Sequence, residues 1–171
     1  MAAAASAGVS HLVYISLVGA DTASWGYTKT KLQSERIVAG SGIPWTLQRS
    51  TQFFQLILAG AKRMGKLPLI PVPRGFVIQP VDPRDVARRL AELTLDAPAG
   101  RVPDIGGPEV LSFADLISSY LTAIGHPGRK VVAVPLPGTG KIRAGSLLPD
   151  ESAGPVVRGS RTWSEFLAEG A

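Results

Sequence analysis

The spacing of apolar residues changes in a regular way along this chain. Residues 1–8 form an Ala-rich stretch closed by Gly8, the composition of a helix with a glycine stop. Leu12 to Val18 is an apolar run rich in β-branched residues, with Ser16 set inside it. Such a run suits a strand buried on both faces, and hence a parallel sheet. After a polar turn at 19–24, residues 27–40 read as a helix closed by Gly40-Ser41-Gly42. Pro44 opens the next strand, Trp45 to Gln48, and Phe53 to Met64 reads as another helix, stopped by Gly65. Helix, strand, helix, strand is the repeating unit of an α/β sheet.

Beyond residue 65 the texture changes. Pro68, Pro71, Pro73, Pro80 and Pro83 punctuate short extended pieces. Asp82 or Pro83 begins a helix whose apolar stripe is Val86, Leu90, Leu93 and Thr94. Val102 to Ile105 reads as a short strand, and Ser112 to Asp115 as a capping box with Asp in place of Glu, opening a helix to Gly125. Val131 to Val134 is a strand, 138–146 a weak helix, and Thr162 to Glu165 a capping box for a final short helix. The pattern divides the chain into a layered α/β region, 1–65, and a smaller irregular α+β region, 66–171.

Composition narrows the chemistry. With 171 residues, 45% apolar and 18% charged, the chain can build one real core. The absence of cysteine excludes disulfides, thiolate catalysis and cysteine-ligated metal centres. His11 and His126 are the only histidines, so no metal site is expected. No apolar run approaches the ~20 residues of a membrane span. The opening residues lack the charged and long apolar regions of a signal peptide, so a cytoplasmic protein is expected. The net charge of +5 comes from scattered basic residues without interleaved aromatics. That describes a basic surface and no nucleic-acid platform.

Glycine motifs give no phosphate cradle. In 135–143, "PLPGTGKIR", Pro135 stands where a P-loop needs its first glycine, and Ile142 where Ser or Thr should follow Lys141. Arg143 occupies the third glycine position of a dinucleotide fingerprint. Asp82 and Asp85 are explained by a helix cap and a first-turn acid. Trp25, Trp45 and Trp163 are read as packing residues. The pair Tyr27 and Lys31 is different. Four residues apart on a helix, they share one face. A tyrosine can give a proton if a nearby ammonium favours the phenolate left behind. Ser16, near the carboxyl end of the preceding buried strand, lies where open α/β sheets hold ligands. Spacing alone also admits an ordinary surface pair, with Lys31 bonded to Glu35.

The segments "AGVSHLVYISLVGAD", "YTKTKLQSERIVAGSGIPWTLQRSTQF", "PVDPRDVARRLAEL", "DIGGPEVLSFADLI" and "TWSEFLA" occur in order over almost the whole chain. Together they resemble the atypical short-chain dehydrogenase/reductases, most closely the NmrA-like NAD(P)-binding proteins. The resemblance implies the C-terminal half of a Rossmann-type parallel sheet over 1–65, followed by a small substrate region over 66–171. It implies NADP or NAD as cofactor and a small carbonyl or quinone-like substrate. It places the family's Ser, Tyr and Lys on Ser16, Tyr27 and Lys31. Ser16 and Lys31 would also touch the cofactor, Lys31 at the nicotinamide ribose, and the loop Arg49-Ser50-Thr51-Gln52-Phe53 would lie beside the nicotinamide ring. Asp85-Val86-Ala87 and Gly106-Gly107-Pro108-Glu109 would be structural marks of the C-terminal half. The chain departs from the family at Leu17, where members often carry a second serine, and in having no glycine fingerprint. The match begins in the middle of the family fold, so a truncated oxidoreductase, weakly active or inactive alone, is expected. The alternative is a non-catalytic regulator that meets a partner chain or a second copy through an exposed sheet edge.

Overall fold

A computed structural model describes residues 1–21, 26–135 and 145–170. The predicted weak helix at 138–146 and the 135–143 glycine segment lie largely outside the described residues, as does Trp25. Helix α1 (Ala2–Ser6) ends in a turn where Gly8 takes a φ of 67°, the left-handed conformation that glycine adopts without strain. Strand β1 (Leu12–Leu17), helix α2 (Gly26–Ala39) and strand β2 (Trp45–Ser50) then form a parallel β–α–β unit, with Leu12 opposite Trp45 and Leu17 opposite Ser50. β2 runs two residues past the predicted Gln48 and is buried from Thr46 onward. β1 is half-buried except at Ser16, because it is the outermost strand of its sheet.

Helix α3 (Phe54–Met64) follows, stopped at Gly65 as its sequence predicts. Strands β3 (Ile70–Pro73) and β4 (Val77–Ile78) come next, and helix α4 (Pro83–Leu95) starts at its Asp82 cap. The strand predicted over 102–105 is instead two short pieces, β5 (Gly100–Arg101) and β6 (Ile105–Gly106), both parallel to β2. Pro103 is the reason: it has no N–H to give a ladder. Its carbonyl is met by the Gln48 side-chain amide at 2.7 Å instead. Strand β7 (Leu111–Ser112) pairs antiparallel with β4. Helix α5 (Phe113–Ala123) is capped by Ser112, whose hydroxyl accepts from the Asp115 N–H and donates to the Asp115 carboxylate. Strand β8 (Val131–Val134) pairs with β3. Strand β9 (Val157–Arg158) joins β6, and helix α6 (Trp163–Ala168) closes the fold with the predicted capping box.

The main sheet therefore runs β1-β2-β6-β9 with β5 beside β2, drawing strands from both sides of residue 65. Helix α4 packs across β1 and β2 through a small core of Val81, Val86 and Ile105. The larger core joins α3, α5, α6 and β3, around Phe54, Ile70, Leu116 and Trp163. Gly107 is required where the two layers meet, and Gly106 is tightly enclosed there. A Cβ on Gly107 would lie 1.9 Å from the Pro80 carbonyl oxygen, and one on Gly106 3.1 Å from the Gln79 amide.

Candidate active site

At the carboxyl ends of β1 and β2, where α2 and α3 begin, the surface sinks into a cavity of about 600 Å³. Ile15, Ser16 and Leu17 line it from β1, and Tyr27, Thr28 and Lys31 from the first turns of α2. Ser50 to Phe53 line it from the turn between β2 and α3. Seven of the residues singled out from the sequence, Ser16, Tyr27, Lys31, Ser50, Thr51, Gln52 and Phe53, thus share one cavity. The far wall is apolar: Ile57 of α3, Phe76, Ile78 of β4, Phe113 of α5 and Leu147.

What fixes α2 against the sheet is ionic. Among its described residues only Thr28, Glu35 and Val38 are buried, a thin apolar face for fourteen residues. Arg49, 4% exposed near the carboxyl end of β2, reaches Glu35 through two bonds, Nε to Oε1 at 2.9 Å and Nη2 to Oε2 at 2.8 Å. Its Nη1 donates to Asp21 at 2.9 Å. The Lys31–Glu35 pair that the spacing admits does not form, because Glu35 is turned inward to Arg49. Burial opposes the charge on Arg49, yet its bonds to Glu35 and Asp21 outweigh that and raise its pKa. Asp21 feels desolvation too, but the Arg49 guanidinium holds its carboxyl below the usual range. Tyr27, Lys31 and Glu35 are successive fourth residues, so the anchor lies on the face that carries the tyrosine and the lysine.

The ammonium of Lys31 is held at the cavity wall. Nζ donates to the Ile15 carbonyl at 3.2 Å and stands 5.2 Å from the centre of the Tyr14 ring. Leu12 donates to Pro44, just before β2, and Val18 to Ser50 at its end, so alternate residues from 12 face β2 and the Ile15 carbonyl points to the open side of β1. Tyr27 is 64% exposed, at the cavity's rim. Ser16 is 3% exposed, and its Oγ finds no partner among the described residues. The Thr51 hydroxyl donates to the Gln79 carbonyl at 2.6 Å, and the Gln52 carbonyl accepts from the Val81 N–H at 2.9 Å, fixing the loop to the segment that follows β4. The arrangement offers a proton donor, a cation and a bare hydroxyl at one end of an apolar chamber.

Sequence reasoning put Arg49 in the loop beside the nicotinamide ring, whereas it belongs to β2 and turns to Glu35 and Asp21; the far wall was missed. Arg49 stands in a run of strand residues, where a charge needs a buried partner, and that was its one signal. Phe76, Ile78 and Phe113 carry no local mark, since long-range packing brings them to the cavity. A second hollow, about 460 Å³, is lined by Asp82, Arg84, Asp85 and Arg161. There Asp82 accepts from Arg84 and Arg161, and Asp85 from Arg88 and the Ser160 N–H, which ties α4 to the segment entering α6.

No model of a known protein family matches the chain. A reductase of (4-alkanoyl-5-oxo-2,5-dihydrofuran-3-yl)methyl phosphate from Streptomyces griseus is 33% identical over 132 residues, covering 75% of this chain. The chain spans 47% of that relative's length. An NADPH-dependent quinone oxidoreductase from Escherichia coli has the same fold, with a TM-score of 0.77 at 21% identity, over 98% of this chain and 70% of that one. Its complex with NADPH superposes with a TM-score of 0.75 at 23% identity, over 98% and 68% of the two chains. A nucleoside-diphosphate-sugar epimerase from Staphylococcus aureus reaches 0.69 at 18% identity, over 97% and 67%. The fold is therefore the one the sequence resemblance implies, that of Rossmann-type reductases and epimerases.

Proposed function

We propose that this chain carries the proton-transfer and substrate side of an NAD(P)H-dependent reductase acting on a small carbonyl or quinone-like compound. One observation carries the reading: Ser16, Tyr27, Lys31 and the Ser50–Phe53 turn wall a single apolar cavity at the carboxyl ends of two parallel strands. The similarity to a reductase and to the fold of a quinone oxidoreductase supports it.

The cavity suits a nicotinamide. Its polar end has an unpartnered hydroxyl at Ser16 and an ammonium at Lys31, set beside a turn that can form one wall for a flat ring. When bound, a reduced nicotinamide supplies a hydride. The chain's residues do the rest. Ser16 Oγ–H donates to the substrate oxygen and orients it. Tyr27 holds a proton at its phenolic oxygen and gives it to that oxygen as negative charge develops. The Lys31 ammonium, steadied by the Ile15 carbonyl and the Tyr14 ring, stabilises the phenolate and can also meet a ribose hydroxyl. Ser50, Thr51 and Phe53 form the wall beside the ring, and the apolar far side excludes water from the reacting atoms. No G-x-G-x-x-G follows a strand in this sequence, so no residue here is given the pyrophosphate, and the isolated chain binds the dinucleotide weakly.

The test is a heteronuclear NMR titration of the labelled chain with reduced nicotinamide mononucleotide and with NADPH. Both should shift the amides of Ser16, Lys31 and the Ser50–Phe53 turn. Shifts confined to other surfaces, or none at millimolar ligand, would sink the reading.

A further inference from the structure

Among the described residues, two cavity-lining side chains hold a buried polar atom without a partner: Ser16 Oγ and Gln52 Oε1. Neighbouring groups are not in that condition. The Thr51 hydroxyl is committed to Gln79, and the Gln79 amide donates to the Gly107 carbonyl at 2.6 Å. Gln48 Oε1 is also bare, but Gln48 does not line the cavity and its amide nitrogen is used twice. In an apolar wall, a leucine or methionine would fill the Gln52 position without burying an unpaired acceptor. An amide kept there is matched when a ligand brings a donor.

On the reading above, Ser16 is met by the reacting carbonyl, which leaves Gln52 for a second group. We propose that Gln52 is a specificity-determining residue whose Oε1 accepts a hydrogen bond from a hydroxyl or N–H of the substrate. The substrate is then a mostly apolar carbonyl compound with a donor group set apart from the carbonyl that reacts. Such a site discriminates strongly, because the analogue without the donor leaves the amide buried and unpaired.

This inference rests on the proposed function, and a matched ligand pair separates the two. The chain is titrated by calorimetry with 2-(hydroxymethyl)-1,4-naphthoquinone and with 2-methyl-1,4-naphthoquinone, which differ by one hydroxyl. The hydroxymethyl compound should bind on the order of tenfold more tightly. Gln52→Leu should bring the ratio of the two affinities to about one, whichever way either affinity moves by itself. Gln52→Met serves the same purpose if the leucine variant does not fold. Equal affinities in the parent chain, or a preference that survives both substitutions, overturn the role of Gln52 and leave the cavity's function standing. If Gln52→Leu instead weakens reduced nicotinamide mononucleotide and leaves the quinone ratio alone, the amide serves the cofactor and the proposal is overturned. If neither quinone binds, the proposed function falls as well.

Discussion

Replacing Glu35 with alanine tests how helix α2 is held. Arg49 is 4% exposed and Glu35 8%, and two bonds of 2.9 and 2.8 Å join them. Removing one member of a buried pair leaves the other charge without compensation, at about 3–5 kcal/mol. Asp21 remains bonded to Arg49, but its side chain is 46% exposed and recovers little of that charge's desolvation. We therefore expect Glu35→Ala to cost about 3 kcal/mol or somewhat more, a large share of the ~5–15 kcal/mol that a domain has. In thermal melts the midpoint should fall by roughly 6–20 °C. Urea denaturation followed by tryptophan fluorescence measures the free energy directly. The double variant Glu35→Leu with Arg49→Met should recover most of the loss, since an apolar pair of similar volume is often neutral or better. A single-variant loss under about 1 kcal/mol, the value of an exposed pair, would show that the contact is solvated and that α2 is held by something else.

Other consequences are open to measurement. Tyr27→Phe should abolish any quinone reduction by this chain and leave nicotinamide mononucleotide shifts in place; retained turnover would remove the phenol from the mechanism. Burial raises the pKa of Asp104 despite its bonds to the Asp150 N–H and Arg101. Its native form binds a proton more tightly than its unfolded form, so its contribution to stability falls as pH rises through about 4 toward the raised native value. Asp104→Asn should flatten that descending slope in urea midpoints taken across the window, and an unchanged slope refutes the assignment. Gly107→Ala forces a Cβ to within 1.9 Å of a backbone oxygen that must shift. It should destabilise by several kcal/mol in the same assay, in the range of severe core substitutions, and a loss under ~1 kcal/mol would mean that the segment 79–81 yields freely.

The sequence was most legible where physics is local. The apolar run of β1, the glycine stop after α3, the Asp82 cap and the Thr162–Glu165 box each depend on residues within a few positions, and each appears where expected. Interruptions depend on partners. Val102 to Ile105 has strand composition, but Pro103 breaks it, and the proline's carbonyl is satisfied by the side-chain amide of Gln48, 55 positions away. The site divides in the same way. Its catalytic candidates lie on one strand–helix–strand unit and could be read as a series, whereas Phe76, Phe113 and Leu147 reach the cavity by tertiary packing. The Lys31–Glu35 spacing was misleading for an electrostatic reason: an i, i+4 pair on a surface gains a few tenths of a kcal/mol, and a buried guanidinium competes for the same carboxylate with two directed bonds.

That competition also explains why α2 carries so little apolar surface. A helix held by a broad hydrophobic stripe would turn that stripe inward, and residues on the same face would be buried with it. Tyr27 and Lys31 share their face with Glu35, yet one must reach the cavity rim and the other its wall. A directional anchor one turn beyond Lys31 fixes the rotation of the helix while its first turns bury only Thr28. Val38, buried beyond the anchor, adds apolar contact at the end of α2 away from the cavity. Arg49 stands one residue before Ser50, so the same strand that holds the helix begins the wall of the site. The distance between the Tyr27–Lys31 face and the Ser50–Phe53 turn is thus set through two hydrogen bonds of fixed geometry.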